Sequence, residues 1–194
     1  MKKNLSHLIF ILDRSGSMGG LEDETIKGYN SVIEQQSKLD GSLKVTTVLF
    51  DNEIEEVFSE KSPEEAKLDR NKYYVRGSTA MLDAIGITLS KVMEKNAKLK
   101  EEERPDNIIV AITTDGYENA SREYSYKQIN DLISKCKKNG WKFIFLSSEI
   151  DEQKVGGAIG LSKDEIVQSF EKTSCGMRKM SNVLCKEVTR LRNK

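Results

Sequence analysis

Four apolar runs divide the chain, and none of them alternates strictly with polar residues. They cover residues 5–12, 43–50, 107–113 and 141–147. Strands of a parallel sheet show this pattern when helices cover both faces of the sheet, because both sets of side chains are then buried. The runs therefore predict four parallel strands at the centre of the fold.

Between and after these runs, apolar residues recur every three or four positions. This spacing predicts amphipathic helices over residues 22–39, 79–100, 126–139 and 173–192. Strands that alternate with helices are typical of a doubly wound α/β domain, in which helices pack on both faces of a mostly parallel sheet. A length of 194 residues suits one such domain, and we expect residues 1–194 to form it.

Two short segments depart from this alternation. The second run continues into Asp51 and Asn52 and then into apolar residues at 54, 57 and 58, which predicts a hairpin and a short antiparallel edge strand. Residues 162–165 resemble a helix capping box. The apolar residues at 166, 167 and 170 favour a last short strand instead, and we predict the strand.

Charge and hydropathy exclude several classes of partner. The chain carries 31 Lys and Arg against 31 Asp and Glu, so no excess of charge favours nucleic acid or an acidic membrane. No segment approaches the roughly 18 apolar residues that span a bilayer. The apolar run near the start is too short for a signal peptide and lacks a small-residue cleavage site. We expect neither nucleic acid nor membrane as a partner.

The cysteines indicate a reducing environment. Cys136, Cys175 and Cys185 are odd in number and lack the close-pair spacing of a zinc site. Free thiols of this kind are typical of cytoplasmic proteins, which is the predicted location.

Oxygen-bearing side chains follow or precede several predicted elements. Asp13, Ser15 and Ser17 come directly after the first strand, Asp115 follows the third, and Thr79 opens the second helix. Because the carboxyl ends of parallel strands meet at one edge of the sheet, we expect these five side chains to converge. Carboxylate and hydroxyl oxygens suit Mg²⁺ or Mn²⁺, whereas Zn²⁺ favours His and Cys.

These motifs resemble a known family. Asp-x-Ser-x-Ser at 13–17, the Thr of 77–79 and the Asp of 114–116 resemble the metal-ion-dependent adhesion site of von Willebrand factor A domains. The resemblance covers nearly the whole chain, extends to the antiparallel edge strand and fits the bacterial intracellular type. It implies a Rossmann-like fold and a Mg²⁺ or Mn²⁺ ion held by Asp13, Ser15, Ser17, Thr79 and Asp115.

The resemblance also implies a function. The family uses this site to bind an acidic residue of a protein partner at an open position of the metal, without catalysis. The partner, the pathway and the oligomeric state stay open. Met18, Leu21, Tyr117 and Tyr124 are candidates for apolar contacts around the site.

An enzyme is the main alternative. Asp13 after the first strand could attack phosphorus in a Mg²⁺-dependent phosphohydrolase or phosphoacceptor. Haloacid-dehalogenase-like enzymes, however, have a second Asp where this chain has Ser15, and they also use a Lys near a strand end. No glycine-rich nucleotide-binding motif follows any predicted strand. A purely structural site is a third possibility, although clustered carboxylates are costly without a cation.

Five other polar residues have simpler explanations in the sequence. A hairpin turn accounts for Asp51, and Asp83 is a carboxylate in the first turn of a helix. Glu118 and Asn119 are expected to be solvated loop residues, and His7 to be packed in the first strand. Whether any of the four acidic or amide side chains supports the metal site is left open.

Overall fold

The computed structural model describes residues 4–147, 152–167 and 171–193, which build a six-stranded sheet with helices on both faces. The spatial order of the strands is β3-β2-β1-β4-β5-β6, and only β3 runs antiparallel to its neighbour. The strands are β1 (Leu5–Asp13), β2 (Ser42–Phe50), β3 (Ile54–Lys61), β4 (Asn107–Thr114), β5 (Lys142–Ser147) and β6 (Ile166–Val167). The predicted doubly wound sheet with an antiparallel edge strand is confirmed.

Helices cover the two faces of this sheet. The described α-helices are α1 (Glu22–Ser37), α2 (Met81–Lys98), α3 (Tyr126–Lys138), α4 (Glu152–Ala158) and α5 (Ser174–Arg192), and 3₁₀ turns occur at Gly16–Met18, Glu101–Glu103 and Lys163–Glu165. The helix α4 was not predicted. None of the helices in the described ranges has the length and apolar character that crossing a bilayer requires.

The central strand β1 explains why its apolar run does not alternate with polar residues. Leu8, Phe10 and Leu12 pack against α1 and α5 on one face, while Ile9 and Ile11 pack against α2 and α3 on the other. All five are buried. Since both faces of β1 lie inside the protein, burial selects apolar residues at successive positions.

The two segments that departed from the alternation fold largely as predicted. Ile166–Val167 pairs with Phe145 and Leu146 of β5, which confirms the short last strand; residue 170, also assigned to it, lies outside the described residues. The residues that resemble a capping box form a 3₁₀ turn instead of an α-helix. Glu165 nevertheless accepts a hydrogen bond from Ser162 N at 2.8 Å, as a capping side chain does.

Residues 62–80 connect β3 to α2 without regular structure, and this was not predicted. Ala66, Leu68 and Tyr73 from this segment are buried in the core on the α1 and α5 face. The Tyr73 hydroxyl donates a 2.7 Å hydrogen bond to the carbonyl of Asp13. The connection thus ties the end of β1 to the segment that carries Thr79.

Candidate metal centre

The five predicted side chains come together beyond the carboxyl ends of β1 and β4. Asp13 is the last residue of β1, and Asp115 directly follows β4. Thr79 lies two residues before α2, which begins at Met81, so the prediction that Thr79 opens the helix was wrong by two residues. Ser15 and Ser17 belong to the tight turn between β1 and α1, whose 3₁₀ segment spans Gly16–Met18.

The hydroxyls meet around one point. Ser17 Oγ donates to Asp115 Oδ1 at 2.5 Å and lies 3.0 Å from Ser15 Oγ. A Cβ atom built on Gly116 would lie 3.2 Å from Thr79 Oγ1 and 3.3 Å from Ser17 Oγ. Three loops therefore direct hydroxyl or carboxylate oxygens into the same small space.

Asp13 is buried and held by two hydrogen bonds. Its Oδ1 accepts from Ser15 N at 2.7 Å, and its Oδ2 accepts from Thr114 Oγ1 at 2.7 Å. Burial raises the pKa of Asp13 above its usual value, the hydrogen bonds from Ser15 and Thr114 oppose that change, and the charge of Asp115 adds to it. The protein thus fixes the orientation of this carboxylate while its surroundings disfavour an uncompensated charge.

Asp115 has one oxygen that is less well satisfied. Its side chain is only 1% exposed, and within the described part of the chain its Oδ2 receives no hydrogen bond of good geometry. The ammonium of Lys172 lies 2.8 Å from this atom as an ion pair. Lys172 was not predicted to be at the site. It is 57 positions further along the chain, and no local pattern marks it.

The donor set decides which cations fit. In the described ranges, no three or more His, Cys, Asp or Glu side chains are arranged so that they could hold a metal ion by themselves. Two carboxylates and three hydroxyls therefore make up the candidate set, and all five donors are oxygens. Such a set suits a hard divalent cation that keeps several waters, and it lacks the nitrogen and sulfur that zinc sites favour.

Backbone hydrogen bonds join the loops that carry the hydroxyls. Gly16 N donates to Gly77 O at 3.0 Å, and Arg76 N donates to Arg14 O at 2.9 Å. Gly77 has a φ of +66°, and a Cβ there would lie 2.0 Å from Asn52 Oδ1. Glycine suits this position because other residues rarely adopt this φ, and a side chain there would also have to displace Asn52.

Glu118 and Asn119 lie in the loop after β4, where Asn119 is exposed as expected and Glu118 is partly buried, and both also hold neighbouring segments of the candidate site. Asn119 Oδ1 accepts from Thr79 N at 2.9 Å, and Asn119 N donates to Thr79 O at 3.0 Å. Glu118 accepts from Leu82 N at 2.9 Å and from Ser121 N at 2.7 Å. The loop after β4 thus fixes the backbone of Thr79 on both sides.

Asp83 also does more than its position in the first helical turn suggested. Its carboxylate accepts three backbone hydrogen bonds, from Arg122 N at 2.7 Å, Glu123 N at 2.9 Å and Tyr124 N at 2.8 Å. These bonds anchor the loop after β4 to α2. Asp83 is therefore a support of the loop that carries Asp115.

Asp51 is fully buried at the end of β2, and a hairpin turn accounts for only part of its surroundings. Its Oδ1 accepts from Glu53 N at 2.7 Å, as expected in a turn. Its Oδ2 accepts from Arg14 Nε at 2.9 Å and from Arg76 Nε at 2.7 Å. Both arginines flank the loops of the candidate centre, so Asp51 links those loops.

The predicted apolar rim is only partly present. Met18 and Leu21 are buried in the core between β1 and α1, so the expectation that they offer contacts around the site was wrong. Tyr117 is 57% exposed beside Asp115. Tyr124 is partly buried against the α2 and α3 face.

Comparison with known proteins places the chain in a family. The family model of the von Willebrand factor type A domain matches residues 7–181. A comparison with curated protein sequences finds no significant match. Many solved structures share the fold.

Three of these structures indicate the range of the similarity. The manganese-loaded TRAP protein of Plasmodium vivax has a TM-score of 0.64 and 18% identity over 89% of this chain and 70% of that chain. The von Willebrand factor domain of the type V pili tip protein Mfa5 from Porphyromonas gingivalis has a TM-score of 0.64 and 8% identity over 94% of this chain and 95% of that one.

The third is proximal thread matrix protein 1 from the mussel byssus, solved with a zinc-occupied MIDAS motif. It has a TM-score of 0.63 and 14% identity, and the match covers 94% of this chain and 45% of that one. This chain thus spans less than half the length of the mussel protein. At identities this low, the structural similarity shows a shared fold only.

Proposed function

The chain belongs to the von Willebrand factor type A domain family, and we propose that it is a metal-dependent protein-binding module. Its proposed ligand set is Asp13, Ser15, Ser17, Thr79 and Asp115. The proposed ion is Mg²⁺ or Mn²⁺, and the proposed partner is a protein that presents an acidic side chain. The proposal also treats residues 1–194 as one domain.

One observation carries this proposal, namely the buried Oδ2 atom of Asp115. A buried carboxylate oxygen needs a compensating partner, and in the described part of the chain this one has only the partly exposed ammonium of Lys172 at 2.8 Å. The other oxygen of Asp115 accepts from Ser17, and a Cβ atom on the next residue, Gly116, would lie 3.2 Å from the hydroxyl of Thr79. A divalent cation bound to these oxygens would compensate the same charge in place of Lys172.

The choice of cation follows from the donors and agrees with the related structures. Five oxygen donors favour Mg²⁺ or Mn²⁺. The TRAP structure is manganese-loaded, and the mussel protein carries zinc at its MIDAS motif, so this fold accommodates divalent ions at low sequence identity. When bound, the ion would offer an open coordination position that a partner carboxylate completes.

The protein's own residues give this contact its geometry. Asp13 is fixed by Ser15 and Thr114, and Thr79 is fixed by Asn119, so the donors are held in place before an ion arrives. Ser17 and Tyr117 lie exposed at the rim, where an approaching side chain would pass. A small but well-oriented contact of this kind discriminates partners by geometry as well as by charge.

The structure offers little support for the alternative of an enzyme. Both oxygens of Asp13, the candidate nucleophile, already accept hydrogen bonds from the protein. The one histidine, His7, lies six residues away on β1, roughly 20 Å along the strand, so it cannot serve as a general base there. Lys172, the lysine that reaches the site, precedes a helix and pairs with Asp115.

We also propose a reducing location such as the cytoplasm. The three cysteines are free, with Cys136 and Cys185 buried and Cys175 exposed. Thiols in these states suit a compartment that keeps them reduced. The bacterial intracellular type of the family remains a prediction.

Metal binding is tested by thermal unfolding and calorimetry in Mg²⁺, Mn²⁺ and EDTA. An ion at a hundred times its Kd should stabilise the native state by about 2.7 kcal/mol. For a chain of this length the Tm should rise by roughly 5–10 °C. Asp115→Asn and Thr79→Ala should remove the response, and Asp131→Asn on the exposed face of α3 should retain it. A wild-type protein indifferent to both ions would contradict the proposal.

The binding function is tested by partner capture from the native cell. Capture should occur in Mg²⁺, fail in EDTA, and fail for Ser15→Ala and Thr79→Ala. Capture that is the same with and without EDTA would show that the partner binds elsewhere on the domain. A parallel assay with a phosphate monoester should show no turnover, and turnover that is lost in Asp13→Asn would favour the enzyme instead.

A further inference from the structure

Lys172 reaches the candidate centre from a part of the chain that carries none of the five proposed ligands. It lies directly before Thr173, the residue that caps the N-terminus of α5. Its ammonium lies 2.8 Å from Asp115 Oδ2, the atom that receives no hydrogen bond of good geometry. Among the described residues, the contact that compensates this oxygen is therefore a cationic side chain.

We propose that Lys172 is a built-in competitor of the divalent cation and sets the metal affinity of the site. In the metal-free protein its ammonium neutralises Asp115, and it must leave before a cation can reach Oδ2. This inference rests on the proposed function, because it concerns the same site.

The charges around the site explain why a competitor is needed. Asp13 and Asp115 place two carboxylates in a space that is almost closed to water. The nearest arginines are committed elsewhere, Arg14 to Asp51 and Glu55, and Arg76 to Asp51 and Glu53. Without Lys172 the empty site would hold two buried negative charges with no cation in contact, which is strongly unfavourable.

Their charges set the ammonium and a divalent cation in competition for this carboxylate. Mg²⁺ binds its oxygen ligands at about 2.0–2.1 Å. An ammonium 2.8 Å from the same atom would then lie within about 5 Å of the ion, and two cations repel strongly at that distance in a buried site. The Lys172 side chain is 24% exposed, so it has a path into water when it is displaced.

Displacement of Lys172 would also release a tether on α5. The ion pair connects the residue before α5 to the loop after β4. The rest of α5 is held independently, through Ser174 Oγ on Glu24 at 3.0 Å and through the buried side chains of Met177 and Leu184. Metal binding should therefore loosen the first turn of α5 while the helix stays packed on α1.

The test measures Mn²⁺ binding and metal-free stability in the same set of variants. In Lys172→Met the Kd for Mn²⁺ should fall at least about tenfold, equivalent to about 1.4 kcal/mol, while the metal-free protein becomes less stable. Lys172→Arg should keep the weaker wild-type affinity, because it keeps the charge. Lys179→Met is the matched control, since it removes an exposed lysine from α5, the helix that Lys172 precedes, and it should change neither quantity.

The outcomes separate this inference from the proposed function. Wild-type binding with an unchanged Kd in Lys172→Met would overturn the competition and leave the metal site intact. No binding of Mn²⁺ or Mg²⁺ in either protein would overturn the proposed function and the competition together. A lower metal-free stability without tighter binding would assign Lys172 a structural role only, which also overturns the inference.

A second measurement uses the wild-type protein alone, in case Lys172→Met does not fold. Hydrogen exchange should slow in the loops around Ser15 and Thr79 when Mn²⁺ is added. The amides of Gly176 and Met177, which donate to Thr173, should exchange faster. Unchanged or slower exchange in that first turn would contradict the displacement of Lys172.

Discussion

Asp51 and Asp115 are both buried carboxylates just beyond the ends of strands, and their surroundings compensate them in different ways. Asp51 follows β2 and accepts from two arginines, of which Arg14 is fully buried. Asp115 follows β4 and has a serine hydroxyl on one oxygen and a partly exposed lysine on the other. Both carboxylates are thus buried, but the cationic partner of Asp115 can be replaced more readily than the partners of Asp51.

The difference teaches that the partner of a buried carboxylate indicates its role better than burial does. A buried guanidinium is always charged and cannot leave without a large cost, so the Asp51 cluster is permanent. A lysine at the rim can move into water and be replaced by another cation. The two clusters also cooperate, because Asp51 O accepts from Ala80 N at 2.8 Å and holds the segment that carries Thr79.

The largest expected effect follows from removing the permanent pair. Asp51→Ala should lower the free energy of unfolding by about 3–5 kcal/mol, because it leaves Arg14 buried with only Glu55 as its ionic partner. The loss should be present in EDTA as well as in Mg²⁺, as measured by urea unfolding.

Glu53→Ala is the matched control for this prediction. Glu53 pairs with Arg76 at the surface, where water screens the pair, so its removal should cost little. If Asp51→Ala were harmless in EDTA and harmful only in Mg²⁺, Asp51 would belong to the metal site and the contrast with Asp115 would fail.

A smaller effect is expected from His7, a buried titratable side chain far from any proposed cation. Its Nε2 lies 2.8 Å from Thr46 Oγ1, and burial lowers the pKa of His7 from 6.5 to about 4. The unfolded chain binds this proton near pH 6.5 and the native protein only near pH 4. The stability from neutral His7 is therefore complete above pH 6.5 and is lost as the pH falls towards 4, by about 3 kcal/mol.

The measurement is urea unfolding between neutral pH and pH 4 in EDTA, so that metal binding does not contribute. His7→Gln keeps a polar side chain next to Thr46 but cannot titrate, and it should show a shallower dependence over that range. An identical slope in wild type and variant would mean that carboxylates alone cause the acid sensitivity.

The sequence was sufficient for most of the fold because most elements carry a periodic pattern. The four long strands and four of the helices lie within two residues of their predicted positions, and the edge strand begins at Ile54 but extends to Lys61. The helix α4 has only seven residues, two of them Gly156 and Gly157, which is too short to show a helical stripe. Residues 62–80 bury side chains without regular structure, so no periodicity marks them.

The sequence predicted which residues form the candidate site. It did not predict which other residues hold them in position. Motif and strand-end position sufficed to bring five oxygen donors together, and their role as ligands stays a prediction. The contacts of Lys172, Arg14 and Asp83 depend on side chains from segments distant in sequence. A lysine before a helix or an aspartate in its first turn looks the same in the sequence whether or not it contacts the site.

The smallest effect on stability should come from Gly116→Ala, which tests the site without changing a proposed ligand or a charge. A Cβ there would lie 3.2 Å from Thr79 Oγ1 and 3.3 Å from Ser17 Oγ, so it would enter the space where the two hydroxyls converge. Gly116 does not have a positive φ. Alanine at a compatible glycine position usually changes stability by less than about 1 kcal/mol. The metal-free protein should therefore unfold almost as the wild type does, while Mn²⁺ binding becomes much weaker.

Gly157→Ala in α4 is the matched control, since a Cβ there meets no atom within 4 Å, and it should leave binding unchanged. Asp51→Ala and Gly116→Ala thus have opposite signatures, one in stability and one in metal binding. Unchanged Mn²⁺ affinity in Gly116→Ala would mean that the ion does not lie between Thr79 and Ser17. The proposed contrast between Asp51, with its permanent arginine partners, and Asp115, with a partner that a metal can replace, would then be wrong.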